Sequence, residues 1–269
     1  MHTRCVTFAP LGLPGALAIG LTLLVSGTSW AGTVAWYRFE EGEGKEFAGG
    51  IEAVRDSSRN GLHGTCWSDQ GATYADALAP SGAAALRLNG RDDWVFVPDC
   101  PKLQLTKSLT VEAWVNIRAF QMNGRSNFIV FRGDNRPGLD AFWLAVNPHT
   151  EELIFGIEGP NKPPGPPVMV TTPFRYLRQT IHIAGVLDDH DGFLGLYVNG
   201  ELMDSTRTPV RPWKTLDPRQ CPGLGIGGFY APLPGSFTVD GTIDEVRLSD
   251  RALTPRQFLC AFREPPKAR

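Results

Sequence analysis

From Thr33 to Leu248 the chain is a succession of short apolar runs, each closed by glycine, proline, asparagine or aspartate: TVAWYRF, LHGTCW, AALRLNG, DWVFVP, SLTVEAWVNI, NFIVFRG, AFWLAVN, ELIFGIE, QTIHIAGVL, FLGLYVNGELM, GLGIGGF and GTIDEVRLS. Runs of this length between turn residues read as strands, about a dozen of them. Several alternate with a period of two. Val111, Ala113 and Val115 fall on one face, while Thr110, Glu112 and Asn116 fall on the other, so one face is buried and the other meets water or a second layer. Trp114 lies on the polar side beside Glu112, where it either lines a concave surface or is buried under a loop.

The turns carry their own signals. Asn199-Gly200 joins two apolar runs, and because both residues tolerate positive φ the pair predicts a tight hairpin. Asn89-Gly90 predicts a similar turn with a longer loop. One helix start is marked, where Thr254 caps, Pro255 takes the first helical position and Gln257 completes a capping box ahead of Phe258 and Leu259. The expected fold class is therefore all-β, a two-sheet antiparallel sandwich with a short C-terminal helix. Glu158–Pro173 and Asp204–Pro222 are proline-rich extended loops, too short for domains of their own.

Residues 1–31 break the pattern: Arg4, an apolar run from Phe8 to Val25, then Ser29-Trp30-Ala31. This reads as a secretory signal cleaved after Ala31, the alternative being a retained membrane anchor. The expected organisation is a signal peptide over 1–31, one domain over 32–262 and a flexible tail over 263–269. The location is then secreted or the cell envelope, with no membrane span after cleavage.

Composition changes this picture little. The formal net charge is −2 for the whole chain, and no basic stripe occurs, which excludes nucleic acid as partner. Without Cys5 the mature chain keeps Cys66, Cys100, Cys221 and Cys260, an even number in an oxidising compartment, so two disulfides are expected. Three pairings are open; the shorter loops favour Cys66 with Cys100 and Cys221 with Cys260. No close cysteine pair of the kind zinc sites use is present.

The strings VAWYRFEEGEG, DSSRNGLHGT, LRLNGRDDWVFVP, LTVEAWVN, GLYVNGEL and GTIDEVRLSDRALTPRQF, in this order, resemble the bacterial laminin G-like domains of the concanavalin A-like lectin/glucanase type. The resemblance covers nearly all of residues 33–262. It implies a jelly roll whose first strand lies near the last motif. One departure is His182, which stands alone where such proteins commonly carry a tryptophan-histidine pair. Lectins, polysaccharide-binding modules, glycoside hydrolases and adhesion domains all use this fold, so the site has to decide the function.

Asp244 and Glu245 are the obvious acids. Neighbours on a regular strand point to opposite faces, so they make no glycosidase pair, and no catalytic residue is expected. Asp244 reads as a structural acceptor or metal ligand, and Glu245 as the ion-pair partner of Arg247 or Arg38. His63 reads as a turn or hydrogen-bonding residue. Asp56, Ser58 and Asn60 place oxygens at alternate positions ahead of Gly61, a pattern calcium uses. With the strand order that the resemblance implies, Asp244 could complete that site; the alternative is an Asx turn. Sugars stack on flat rings, which makes Trp143, Trp213, Tyr230 and Trp67 candidate platforms. The expected function is a secreted, non-catalytic binding module for a carbohydrate or extracellular surface, with calcium as a possible support. A protein-interaction module is the alternative, and a divergent glycoside hydrolase using Glu112 and a facing acid is the second.

Overall fold

The computed structural model describes residues 32–42, 50–67, 72–80, 82–136, 140–160, 167–229 and 237–262. The segment 1–31 expected to be a signal, Tyr230, and the expected tail 263–269 lie outside them. The described residues form sixteen strands: β1 (Thr33–Tyr37), β2 (Gly50–Val54), β3 (Gly64–Trp67), β4 (Thr73–Asp76), β5 (Ala84–Asn89), β6 (Trp94–Pro98), β7 (Leu109–Ala119), β8 (Asn127–Gly133), β9 (Phe142–Asn147), β10 (Glu152–Ile157), β11 (Val168–Pro173), β12 (Ile181–Asp188), β13 (Phe193–Val198), β14 (Glu201–Arg207), β15 (Gly223–Ile226) and β16 (Asp240–Ser249). They build two eight-stranded antiparallel sheets. The first runs β14-β13-β12-β7-β16-β5-β4 with β1 also on β16, and the second runs β11-β10-β9-β8-β15-β6-β3-β2.

Each sheet turns one side-chain row inward. Val111, Ala113, Val115 and Ile117 of β7 meet Leu144, Val146, Leu153 and Phe155 of the second sheet in one buried core. The fit is close at Gly185, where an added Cβ would stand 2.2 Å from the Phe155 ring, so that ring crosses the core into the space a side chain would fill. Asn199 (φ 52°) and Gly200 (φ 83°) make the tight β13–β14 hairpin their dipeptide predicts. Asn89-Gly90 does different work, because β5 and β6 belong to different sheets and the turn carries the chain across the sandwich. Asn89 Oδ1 organises it by accepting from the N–H groups of Arg91 and Asp92 at 2.7 and 3.2 Å.

The predicted C-terminal helix is realised as two short 3-10 turns, Pro255–Gln257 and Leu259–Phe262. The cap is as expected, with Thr254 N–H donating to Gln257 Oε1 at 2.9 Å. Phe258 then leaves the helical region (φ −67°, ψ 155°) and seats its ring, fully buried, against His182 and Tyr197 on the outer face of the first sheet. Tertiary packing outweighs continuation of a helix this short.

Beneath that turn lies a buried polar network. His182 Nε2 donates to Glu112 Oε2 at 2.8 Å, Arg247 Nε donates to Glu112 Oε1 at 2.7 Å, and Leu259 N–H donates to Glu112 Oε2 at 2.8 Å. Arg247 Nη2 reaches on to the carbonyl of Gln257 at 2.7 Å. Trp114, 1 % exposed, packs edge-on to His182, so burial rather than a place on a concave surface is the outcome for that tryptophan. Burial alone would raise the Glu112 carboxyl, but the His182 hydrogen bond and the Arg247 charge hold it below its ordinary range.

Among the described residues no disulfide joins Cys66, Cys100, Cys221 or Cys260, and the favoured pairings do not form. Cys66 sits opposite Val95 on β6, whereas Cys100 lies five residues farther along that chain, roughly 16 Å at strand rise. Cys221 precedes β15 in the second sheet, while the Cys260 sulfur lies beside Gly200 on the first, 3.7 Å from where a Cβ there would stand. Loop length ranked the pairs, and the sandwich separates them. The ladder carries Cys100 toward Cys221 instead, since Asp99 N–H donates to the carbonyl of Pro222 at 3.1 Å.

Replacing Glu112 with alanine strands two buried cationic or polar partners and an amide. Urea unfolding is expected to show a loss of about 3–5 kcal/mol for Glu112→Ala. A loss below about 1 kcal/mol would mean that the network contributes little to holding the terminal turn.

Candidate functional site

β16 organises the acids. Along its length it pairs with β7, but its other edge is shared: Asp240–Ile243 pair with β5 and Val246–Ser249 with β1. At the changeover the ladder slips, Asp244 facing Trp114 and Arg247 facing Glu112, so three steps on β16 match two on β7. The extra residue is Glu245, at φ 49°. This is a β-bulge, and it overturns the expectation that the two acids face opposite ways. Ile243 and Val246 both enter the core, leaving Asp244 and Glu245 together on the outer side.

Neither acid is available to a substrate, being 0 % and 2 % exposed. Asp244 Oδ2 accepts from the N–H groups of Leu78 and Ala79, each at 2.9 Å, and fastens the loop before β5. Glu245 accepts from the Trp36 indole and from Arg38 Nε at 3.1 Å, so Arg38 is its ion-pair partner and Arg247 belongs to Glu112. Burial pushes the Asp244 carboxyl up to about 7, the bond from Ala79 N–H opposing it and the neighbouring Glu245 adding to it. Burial likewise raises Glu245 against the pull of Arg38.

The Asp56 loop has the bonding of an Asx turn. Asp56 Oδ1 accepts from the N–H groups of Trp36 (3.0 Å) and Ser58 (2.8 Å), and Oδ2 from Ser58 Oγ (2.7 Å) and Leu62 N–H (2.9 Å). Asn60 turns its amide NH2 to the carbonyl of Val34 at 2.8 Å and gives its oxygen to Lys102. Asp56 N–H donates to His63 Nδ1 at 3.1 Å, the hydrogen-bonding role expected of that histidine. Donors already engage both carboxylate oxygens, and Asp244 shares no bonding partner with Asp56. As arranged, Asp56, Ser58, Asn60 and Asp244 do not fit a hard cation, which needs six or more free oxygens. Among the described residues no group of three histidines, cysteines or acids converges as a metal site.

The candidate platforms separate sharply. Trp143 is 5 % exposed inside an outer cluster with Phe128, Phe131 and Phe229. Trp213 is half-buried against the main core, its backbone bonded to Glu158 and to the buried guanidinium of Arg132. Trp67 is different: it is 55 % exposed at the end of β3, on the outer face of the second sheet. There it faces Trp94 of β6 as a direct cross-strand partner. The two indoles lie nearly parallel, 14° between planes with centroids 6.3 Å apart, and Phe96 follows edge-on at 5.8 Å. Three half-exposed or exposed rings thus form one aromatic ledge, backed by Phe229 at 6.0 Å from Trp94. Sequence reasoning named Trp67 and missed Trp94 and Phe96. The available signal was the DWVFVP run, in which Val95 and Val97 occupy the inward positions and rings stand where polar residues belong.

A family model described as the concanavalin A-like lectin/glucanases superfamily matches residues 89–257. A search of curated proteins finds no match. Among solved structures, the botulinum neurotoxin serotype G binding domain matches 85 % of this chain and 50 % of its own at 13 % identity and TM-score 0.59. The serotype D binding domain matches 85 % and 50 % at 11 % identity and TM-score 0.57. This chain thus spans about half the length of those binding domains. Domain 4 of AbnA, an extracellular arabinanase of Geobacillus stearothermophilus solved with arabinotriose, matches 86 % of this chain and 97 % of its own at 21 % identity and TM-score 0.52. At these identities the likeness is one of fold.

The bulge gives a pH signature. In the folded protein Asp244 keeps its proton up to about pH 7, while in the unfolded chain it releases it near pH 4, so its contribution is full below about 4 and is lost as pH rises to about 7. Asp244→Asn keeps an acceptor for Leu78 and Ala79 but cannot ionise. Urea unfolding at pH 4.5 and 7.5 is expected to show a smaller stability loss in the variant than in the wild type, by of order 2 kcal/mol. Equal losses would place the proton elsewhere.

Proposed function

Because the chain belongs to the concanavalin A-like lectin/glucanase superfamily, we propose that it is an extracellular, non-catalytic carbohydrate-binding module that holds its sugar on the ledge of Trp67, Trp94 and Phe96. One observation carries this reading: an exposed indole held flat beside a second by strand pairing. The apolar face of a pyranose or furanose ring stacks on such a surface, and strand pairing has already met the entropy cost of aligning the rings. The arabinotriose bound to the arabinanase domain supports the same ligand class for this chain. Export by residues 1–31 fits the extracellular location, and no helix among the described residues is long and apolar enough to cross a membrane.

Hydrolysis is the weaker reading because a glycosidase needs two carboxyls reaching one bond, and Glu112, Asp244 and Glu245 are sealed. A protein-interaction module draws on a different observation, the apolar Leu202 and Met203 exposed on edge strand β14.

A glycan and polysaccharide panel tests the proposal. Trp67→Ala is expected to weaken saccharide binding about tenfold or more while leaving the melting temperature nearly unchanged, since that ring is mostly in water. Undiminished binding by Trp67→Ala would refute the ledge. Binding is expected to survive chelator, because the Asp56 carboxylate is bonded within the protein; loss on chelation would restore calcium.

A further inference from the structure

The outer face of the first sheet is mostly covered, by the terminal turns over Glu112 and by the loop on Asp244. One part stays open. Strand register sets Thr73, Arg87, Thr242 and Asn116 in a row across β4, β5, β16 and β7, and Asn116 Nδ2 extends it by donating to Thr180 Oγ1 at 3.1 Å. Arg118, the next outward position of β7, and Arg178, from the segment before β12, stand beside this row. Arg87, Asn116, Thr242, Arg118 and Arg178 line a cleft of about 190 Å³. Gly241 and Leu88 complete its lining.

We propose that this cleft binds the acidic group of a charged saccharide, a carboxylate or a sulfate, as a second subsite. The inference rests on the carbohydrate reading above. Three arginines line one small cleft, and no acidic residue is among its lining. Asp240 pairs with Arg118 from its side, leaving the cleft positive. Arg87 is exposed on β5, and its planar fork of donors matches a carboxylate or sulfate in bidentate geometry.

Arg178 supplies an independent observation. It is held in the left-handed region at φ 59°, which costs a non-glycine residue free energy, and its N–H is bonded to the carbonyl of Ile117 at 2.7 Å. Its Nε is bonded to the carbonyl of Arg118 at 3.4 Å. The strained backbone places that side chain over the cleft. The volume lies below the roughly 300–1,000 Å³ of drug-sized pockets, so it admits one ring and its acidic group. Threonine and asparagine along the row offer both donors and acceptors to sugar hydroxyls. A chain of formal net charge −2 is not built to hold a long polyanion by charge alone, so the arginines must act locally.

The test is a titration of the full protein with oligogalacturonate, dextran sulfate, neutral arabinan and sodium sulfate, using wild type, Arg87→Gln, Arg178→Gln and Trp67→Ala, with melting curves for each variant. Acidic saccharides are expected to bind wild type more tightly than neutral ones. Arg87→Gln is expected to lose about tenfold on the acidic ligands and nothing on arabinan. Acidic binding equal in wild type, Arg87→Gln and Arg178→Gln would overturn the proposal, and if arabinan binding still falls in Trp67→Ala the ledge survives that failure. Arg87-dependent binding of acidic ligands that persists in Trp67→Ala would support the cleft by itself. Sodium sulfate binding as tightly as dextran sulfate would overturn the saccharide assignment, and silence with every ligand would remove both sites.

Discussion

The bulge at Glu245 is the constraint on which the first sheet depends. β16 must pair with β7 throughout while serving two partners on its other edge, and a regular strand would carry its side-chain alternation unbroken past the gap between them. One extra residue resets the phase, so that Ile243 and Val246 both reach the core and two carboxyls meet on the outside. Those carboxyls then gather the pieces the gap leaves loose: Asp244 takes the loop before β5, and Glu245 takes Trp36 and Arg38 of the chain around β1. A buried acid with a raised pKa is often a sign of catalysis, but here the same burial that raises it denies it a substrate.

The two outer faces were treated differently by the fold. On the first sheet, charged groups are buried under added chain, each compensated by several partners, as the Glu112–His182–Arg247 network shows. What remains open there is polar and positive. On the second sheet the outer face carries rings, packed into a closed cluster around Trp143 and left open toward Trp67. One end of the aromatic row is packed closed, and the other stands open to solvent.

Several features were legible in single residues because their physics is local. Asn199-Gly200 makes its hairpin since its φ values are a property of those two residues, and Thr254 with Gln257 makes its cap for the same reason. Period-two alternation placed Val111, Ala113 and Val115 inside, and the DSSRNG loop closed on its own carboxylate. The all-β sandwich follows from the sum of such signals. So does Trp67 as a surface ring, although the string around it did not distinguish it from Trp143.

Tertiary structure decided what depends on partners far along the chain. The bulge exists because β5 and β1 divide one edge of β16, which no local pattern near Asp244 contains. The terminal helix became turns because Phe258 has a pocket between His182 and Tyr197 to fill. Cys221 and Cys260 are separated by the sheet each lies against, and Cys66 and Cys100 by distance along neighbouring strands, matters on which loop length is silent. Trp94 became part of a ledge when β3 came to lie beside β6, and Arg87, Arg118 and Arg178 became a cleft when strands more than a hundred residues apart fell into register. By itself the sequence determined the kinds of element and their turns, since backbone dihedrals and side-chain alternation are set by neighbours. Which faces meet water, and which rings and charges stand together on them, was settled only by the pairing of distant strands.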